Sequence, residues 1–435
     1  MMINKDLEKQ IHSDHVTIGR RTYSRSRYAW MLTIISLIGY MFTTFDTAIF
    51  SASLPVIAKT FHISSSGISF LLAAVFGVAA LTGFIFGPLA DRIGRKPTLQ
   101  IILLITGLFS GLTAFVGSIA QLVGVRMVTG IGMNSTSPAN TLISEEAPVK
   151  RRGMMMGVMQ AGFPLGGALA GTIAAIFLPD WRPLFLIAFA PVLLIFIVSF
   201  YIRESPRFLH SRQQRAKHLH STASKERLAK DHIAHLFSPQ YRRQTIVLNL
   251  FNFLTPAGVV MIATFITLYA VEIQHFSPAQ GAILLAVDSW VALVSQLLIG
   301  YLSDHIPPKW ILSISTAIAA LTPVLLLNAH GSYTMDLIAM AIYGFFGNGV
   351  YGAIFRYTSE SYPTRLRGTG IFFAQADANL MFVLLPLLAG WLFAHNLPQV
   401  LLYIVAVAQI GAGITMALGK NILPQQPLEV LSQEK

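Results

Sequence analysis

The sequence predicts an all-α, polytopic membrane protein of twelve transmembrane helices in two pseudo-symmetric six-helix bundles, and three observations carry that prediction. Of its 435 residues, 54% are hydrophobic and only 11% are charged, against about 25% charged in ordinary soluble chains. A soluble chain of this length needs charge to coat several domains, so a soluble multidomain protein is excluded. The apolar residues fall into runs long enough to cross a bilayer, about 20 residues each. The 31 Lys and Arg alternate in and out of the gaps between those runs.

The runs place spans near 30–50, 66–88, 97–117, 121–143, 153–178 and 183–202, then near 244–271, 279–302, 309–329, 333–355, 368–393 and 398–419. The expected organisation is an N-terminal tail (1–29), a first bundle (30–202), a central polar loop (203–243), a second bundle (244–419) and a C-terminal tail (420–435). The tail before the first span lacks the short apolar core and small-residue cleavage site of a signal peptide.

Basic residues orient the chain. Only Lys59, Arg126 and Arg182 depart from a pattern that places every other Lys and Arg in the two tails, the central loop and alternate short loops. This is the positive-inside bias, and it puts both termini and the central loop in the cytoplasm, in a plasma membrane of prokaryotic inner-membrane type. The net charge of +12 is thereby explained by topology and anionic lipid headgroups, and nucleic-acid binding is not needed. The absence of cysteine excludes disulfides, thiolate metal sites and thiol nucleophiles. No phosphate-binding loop, dinucleotide fingerprint, zinc motif or Ser-His-Asp arrangement stands out, so neither cofactor nor metal nor enzymatic activity is expected. The chain reads as a monomer whose partners are a small-molecule substrate, protons and the bilayer.

Two polar motifs recur in order. Gly87-x-x-x-Asp91 follows the second span and Gly300-x-x-x-Asp304 the eighth. Glu145-x-x-Pro148-x-x-x-Arg152-Gly153 follows the fourth and Glu360-x-x-Pro363-x-x-x-Arg367-Gly368 the tenth. Near-constant offsets point to homologous halves. Even span counts in each half make them parallel repeats, as in transporters that rock about a midplane site.

The loop Gly87-Pro-Leu-Ala-Asp91-Arg92-Ile-Gly94-Arg95-Lys96 resembles the signature of the major facilitator superfamily, and Arg126-x-x-x-Gly130-x-Gly132 resembles its fourth-span motif. A closer resemblance is to the aromatic acid:proton symporters and related metabolite:proton symporters. It is carried by Asp46 with Pro55, by Arg126 to Pro138 followed by Ser144-Glu145-x-x-Pro148-x-x-Arg151-Arg152, and by Tyr362-Pro363-Thr364-Arg365-x-Arg367-Gly368. Thr43 stands where that family has a first acidic residue, and Asn379 lies near where it tends to carry an Arg. Glu204-Ser205-Pro206-Arg207 is shared with the sugar porters. The resemblance implies proton-coupled import of a small polar organic metabolite, an organic or aromatic acid or a sugar-like solute, by alternating access. A proton-coupled exporter of drugs or metabolites is the alternative. The resemblance also implies a conformational latch at Gly87, Asp91, Arg92, Gly94, Arg95 and Lys96, with Asp304 its counterpart in the second half. Glu145 with Arg151 or Arg152, and Glu360 with Arg365 or Arg367, are candidate cytoplasmic pairs.

Charge inside a span costs roughly 2.5–3.5 kcal/mol at a helix centre. Asp46, Arg126, Asp288 and Asp377 are therefore the candidates for proton coupling. Asp46 is first among them, on a helical face with Ser36, Gly39 and Thr43. Coupling needs a carboxyl whose surroundings alternate, since apolar burial favours the neutral acid and a nearby guanidinium the carboxylate. Gln160, Asn249, Asn252, Asn348, Tyr351, Gln375 and Asn379 are the candidate substrate-binding polar groups, and Phe50, Trp290, Tyr343 and Phe382 are candidates for ring stacking.

Overall fold

The computed structural model describes residues 15–18, 21–148, 152–206, 209, 235–303, 305–362, 364–395 and 397–422. Among them the helices fall into twelve successive spans. Span 1 is Arg25–Thr60, span 2 Ser65–Ile93, span 3 Arg95–Leu112, span 8 Pro278–Ser303, span 11 Thr364–Ala394 and span 12 Pro398–Ala417. The other six are assembled from shorter pieces. Eight helices are long and apolar enough to cross a membrane, with shorter apolar helices at Gly67–Thr82 and Leu380–Ala394.

The breaks have chemical causes. Proline has no N–H and cannot continue the hydrogen-bond ladder of a preceding helix, but it suits a first turn. Span 6 stops after Arg182–Ile187 and restarts at Pro191–Tyr201, and span 7 breaks between Arg242–Leu254 and Pro256–Val260. Span 5 is interrupted at Ala161, between Arg152–Gln160 and Gly162–Phe177. Span 4 passes through a 3₁₀ stretch, Gly130–Ser135, between Ile119–Thr129 and Thr136–Glu146, and span 9 pairs Pro308–Ala319 with Leu321–Leu327. Wider π turns lie at Met261–Phe265 and Tyr269–Ile273 in span 7. Another, Tyr343–Gly347, separates Tyr333–Ile342 from Tyr351–Glu360 in span 10.

One element is not helical. A two-stranded antiparallel hairpin, β1 (His15–Ile18) and β2 (Arg21–Ser24), pairs Val16 with Tyr23 just before span 1. Its β-branched and aromatic residues suit a strand, so this part of the expected N-terminal tail is ordered.

The described residues form two compact units. One comprises Met1–Thr47, Val75–Gly166 and Asp180–Thr222, the other Ala48–Ala74, Gly167–Pro179 and Ala223–Lys435. The core of the first holds Leu32, Leu99, Leu103, Leu142, Met155 and Leu194; that of the second holds Leu248, Phe251, Leu312, Val350, Tyr357 and Met416. Small residues bring helices together. Within the first unit a side chain on Gly162 or Gly166 would strike the backbone of span 1 at Leu37 and Met41, the close approach that membrane helices use. Large apolar side chains face outward, Phe115 and Phe200 each 72% exposed. This is the surface expected where the solvent is lipid.

Candidate functional site

In the first unit, Asp46 and Arg126 meet. Asp46 lies near the middle of span 1 and Arg126 in the first piece of span 4, and Arg126 Nη1 donates to Asp46 Oδ1 at 2.8 Å. The side chains are 4% and 2% exposed. Ser110 of span 3 donates its hydroxyl to the same carboxylate oxygen, and the guanidinium carbon stands 5.7 Å from the ring centroid of Phe185. Ser36 and Thr43 on the same face of span 1 are buried too, so the polar stripe of the sequence is an interior surface. Attraction in a medium of low dielectric offsets the desolvation of a buried pair only when its geometry is good. This pair has short, charge-assisted bonds. Ser110 was not among the sequence candidates; its signal was a place on one helical face with Thr106 and Thr113 in an apolar run.

In the second unit, Asp288 meets an amide. Asp288 of span 8 is 3% exposed. Asn348 Nδ2 lies 3.1 Å from its Oδ1 and 3.0 Å from its Oδ2, and Gln296 donates to the Asn348 carbonyl at 3.2 Å. Asn348 follows directly on the π turn of span 10, and Gly344 in that turn lies against the backbone of Asp288. The two halves of the sequence thus contribute two buried acids with unlike partners.

The second unit also joins spans 1 and 7. Pro55 cannot bond the carbonyl of Ser51 one turn back, and Thr267 Oγ1 donates to that carbonyl at 2.6 Å. Ser51 Oγ in turn donates to the carbonyl of Thr264, in the first π turn of span 7, at 3.2 Å. A proline and a π turn each leave backbone acceptors open, and the hydroxyls satisfy them.

The candidate latch is partly described. Gly94 has φ 114°, a conformation costly for any other residue, and caps span 3. The N–H of Lys96 is bound by Glu204 at 3.1 Å, and its Nζ donates to the carbonyl of Ser199 at 2.9 Å. Gly87 lies within span 2, Arg92 is exposed and Arg95 half-buried. Two pairings stand beside the candidate ones, whose Glu145, Arg151, Arg152, Arg365 and Arg367 side chains lie outside the described residues. Glu146, one residue beyond the predicted acid, is 1% exposed and pairs with Arg203 at 3.3 Å. Its carbonyl accepts from Arg25, and Arg203 stands over the Tyr28 ring. The inward-facing acid at the helix end is the one that needs a cation. Glu360 pairs with Arg356, one turn earlier, at 2.9 Å, the i,i+4 geometry a helix makes available. Arg356 also donates to the carbonyl of Ser303 at 2.8 Å.

The remaining candidates divide. Asn249 and Asn252 donate Nδ2 within their own helix, to the carbonyls of Thr245 and Leu248 at 2.8 Å each, and Asn249 keeps a buried Oδ1 without a partner. Gln160 keeps a buried Oε1 without a hydrogen-bond partner, and Tyr351 is half-buried. Of the stacking candidates, Phe50 and Tyr343 are buried, while Trp290 is 42% exposed and donates Nε1 to Thr172 at 3.1 Å. Asp304 and the side chains of Asp91, Glu145, Arg152, Arg365, Arg367, Gln375, Asp377 and Asn379 lie outside the described residues.

Known proteins share this architecture. The family model described as Major Facilitator Superfamily matches residues 36–376 and again 248–430. The 4-hydroxybenzoate transporter PcaK of Acinetobacter baylyi is 26% identical over 370 residues, 80% of this chain and 81% of that protein. The 3-(3-hydroxy-phenyl)propionate transporter of Escherichia coli is 29% identical over 384 residues, 87% of this chain and 90% of that protein. The crystal structure of a D-xylose-proton symporter superposes with a TM-score of 0.73 at 18% identity, covering 89% of this chain and 97% of that one; this likeness is one of fold. Family match, fold and buried intramembrane charges converge: the chain belongs to the Major Facilitator Superfamily and is an integral membrane transporter, not an enzyme.

Proposed function

We propose that the chain is a proton-coupled symporter that imports a small aromatic or related organic carboxylate by alternating access. In this reading the bundles 30–202 and 244–419 rock about a midplane site, both termini face the cytoplasm and the transporter works as a monomer in a plasma membrane. The observation that carries the reading is the buried Asp46–Arg126 pair. A guanidinium inside the membrane must stay balanced by one negative charge. While Asp46 is ionised it fills that role itself. A proton on Asp46 removes the charge and frees Arg126 for the carboxylate of a substrate. Loss of the proton on the other side returns Asp46 to Arg126 and expels the substrate. Proton and carboxylate then move together because they share one cation. The relatives transporting 4-hydroxybenzoate and 3-(3-hydroxy-phenyl)propionate, both aromatic carboxylic acids, favour this substrate class. Gln160, Tyr351, Gln375 and Asn379 stay candidate substrate-binding groups in this reading, with Asp377 a further candidate acid. The loop Gly87–Lys96 acts as a latch whose exposed charges form pairs of low net worth, easily made and released.

Proteoliposomes test it with radiolabelled 4-hydroxybenzoate and 3-(3-hydroxyphenyl)propionate. An inward proton gradient should drive accumulation of at least one. Asp46→Asn should bind that acid and exchange it across the membrane without concentrating it. Extrusion under the same gradient, or full concentrative uptake by Asp46→Asn, refutes the reading. Thermal stabilisation by D-xylose alone refutes the carboxylate class.

A further inference from the structure

Asp288 is a different kind of buried acid. Among the described residues no Lys, Arg or His lies within ion-pairing distance of it, and its hydrogen-bond partner is the amide of Asn348. An ionised carboxylate taken from water without a cation costs several kcal/mol, whereas the neutral acid does not. The amide tells the same story from the other side. Asn348 Oδ1 is buried and has no hydrogen-bond partner, and neither has the nearby Tyr343 Oη. A carboxylate offers only acceptors; the neutral acid adds an O–H. The amide N–H groups serve both carboxyl oxygens while Asn348 Oδ1 stays an unused acceptor beside the acid, open to an O–H that a carboxylate lacks. The backbone supports the arrangement. The π turn Tyr343–Gly347 ends at Asn348, and such turns are frequent at functional sites. Gly344 lies against the Asp288 backbone, so position 344 has no room for a side chain.

Span 8 packs against pieces of spans 5, 7, 9 and 10. Span 10 contributes the phenols Tyr343 and Tyr351. The facing pieces Gly167–Phe177 of span 5 and Ile266–Leu268 of span 7 hold no titratable residue. Tyr269, Glu272, Tyr333 and Asp336 belong to pieces by the Pro278 end, where Tyr333 bonds the Gln280 carbonyl. Lys309, Arg356, Tyr357 and Glu360 lie toward the other end, where Arg356 bonds the Ser303 carbonyl. At 1.5 Å per residue those ends are about 12 and 22 Å along the helix from Asp288.

We propose that Asp288 is a second proton-binding site of this transporter, occupied by a proton in the conformation described, with the Asn348 amide as its hydrogen-bond donor. Its part in transport rests on the proton-coupled reading above; its protonation does not. Infrared spectroscopy of the full chain in lipid across a pH titration tests it without substrate or gradient. A carbonyl stretch of a protonated carboxylic acid should be present at neutral pH, disappear in Asp288→Asn and persist in Asp46→Asn. Asn348→Ala, which keeps Asp288, should move the band to higher frequency by removing its hydrogen bonds. Identical spectra for wild type and Asp288→Asn overturn the proposal, as does a band unmoved in Asn348→Ala. A carboxylate stretch that answers to sodium and not to protons overturns it too. Failure of Asp46→Asn to lose coupling would sink the symport reading while leaving this band in place.

Discussion

Asp46 and Asp288 are both acids at mid-helix, both almost fully buried, and each belongs to one compact unit. Asp46 has a guanidinium at 2.8 Å and a serine hydroxyl on the same oxygen; Asp288 has a carboxamide at 3.0 Å. The first environment stabilises an anion and must be rebuilt whenever the anion is neutralised. The second asks for a neutral acid and offers nothing to an anion beyond one amide. Intramembrane carboxylates therefore cannot be ranked by position in a span alone; the partner decides which protonation state each site is built for.

The sharpest way to break this contrast is Arg126→Leu. It strands Asp46 and Ser110 without the cation, and removing one partner of a buried pair costs about 3–5 kcal/mol. The unfolding midpoint of the purified protein in a denaturing-detergent titration should fall accordingly, and carboxylate binding should be lost with it. An unchanged midpoint would mean that the pair adds nothing in lipid or detergent. Gly344→Ala probes the second site through its backbone. A methyl there would meet the Asp288 carbonyl carbon at 3.0 Å and Cα at 3.1 Å. Because backbone cannot swing aside, the expected loss is about 1–3 kcal/mol in the same titration, accompanied by a shift of the acid carbonyl band. The smallest effect belongs to Asp288→Asn, which exchanges a neutral acid for a neutral amide of the same shape. Stability should change by less than about 1 kcal/mol. A loss as large as that of Arg126→Leu would show that Asp288 works as an anion and would erase the distinction between the sites.

Much of the scaffold was legible beforehand because bilayer crossing imposes a length and a composition that any run must meet. Asp46 and Arg126 were legible for the same reason: charge in an apolar run is expensive enough to stand out. Ser110 was not, since hydroxyls in a span are ordinary, and Asn348 stood among the candidate polar groups while nothing local said that it faces Asp288. The separations involved, 64 residues for Ser110–Asp46 and 60 for Asn348–Asp288, are set by helix packing. Glu146 was not singled out because adjacent helical residues point about 100° apart, and its inward direction is known only once the helix is docked. The hairpin at His15–Ser24 was overlooked because four-residue strands carry too little periodicity to register.

By itself, the sequence determined the all-helical membrane class, the number of spans, the repeat and the short roster of buried charges. Each of these follows from transfer free energies that are local and roughly additive along the chain. Tertiary structure alone decided where the spans break, which serine reaches Asp46, and that Asp288 meets an amide and not a cation. Those outcomes depend on which faces of distant helices pack within a few ångströms, and a hydrogen bond exists only at that range.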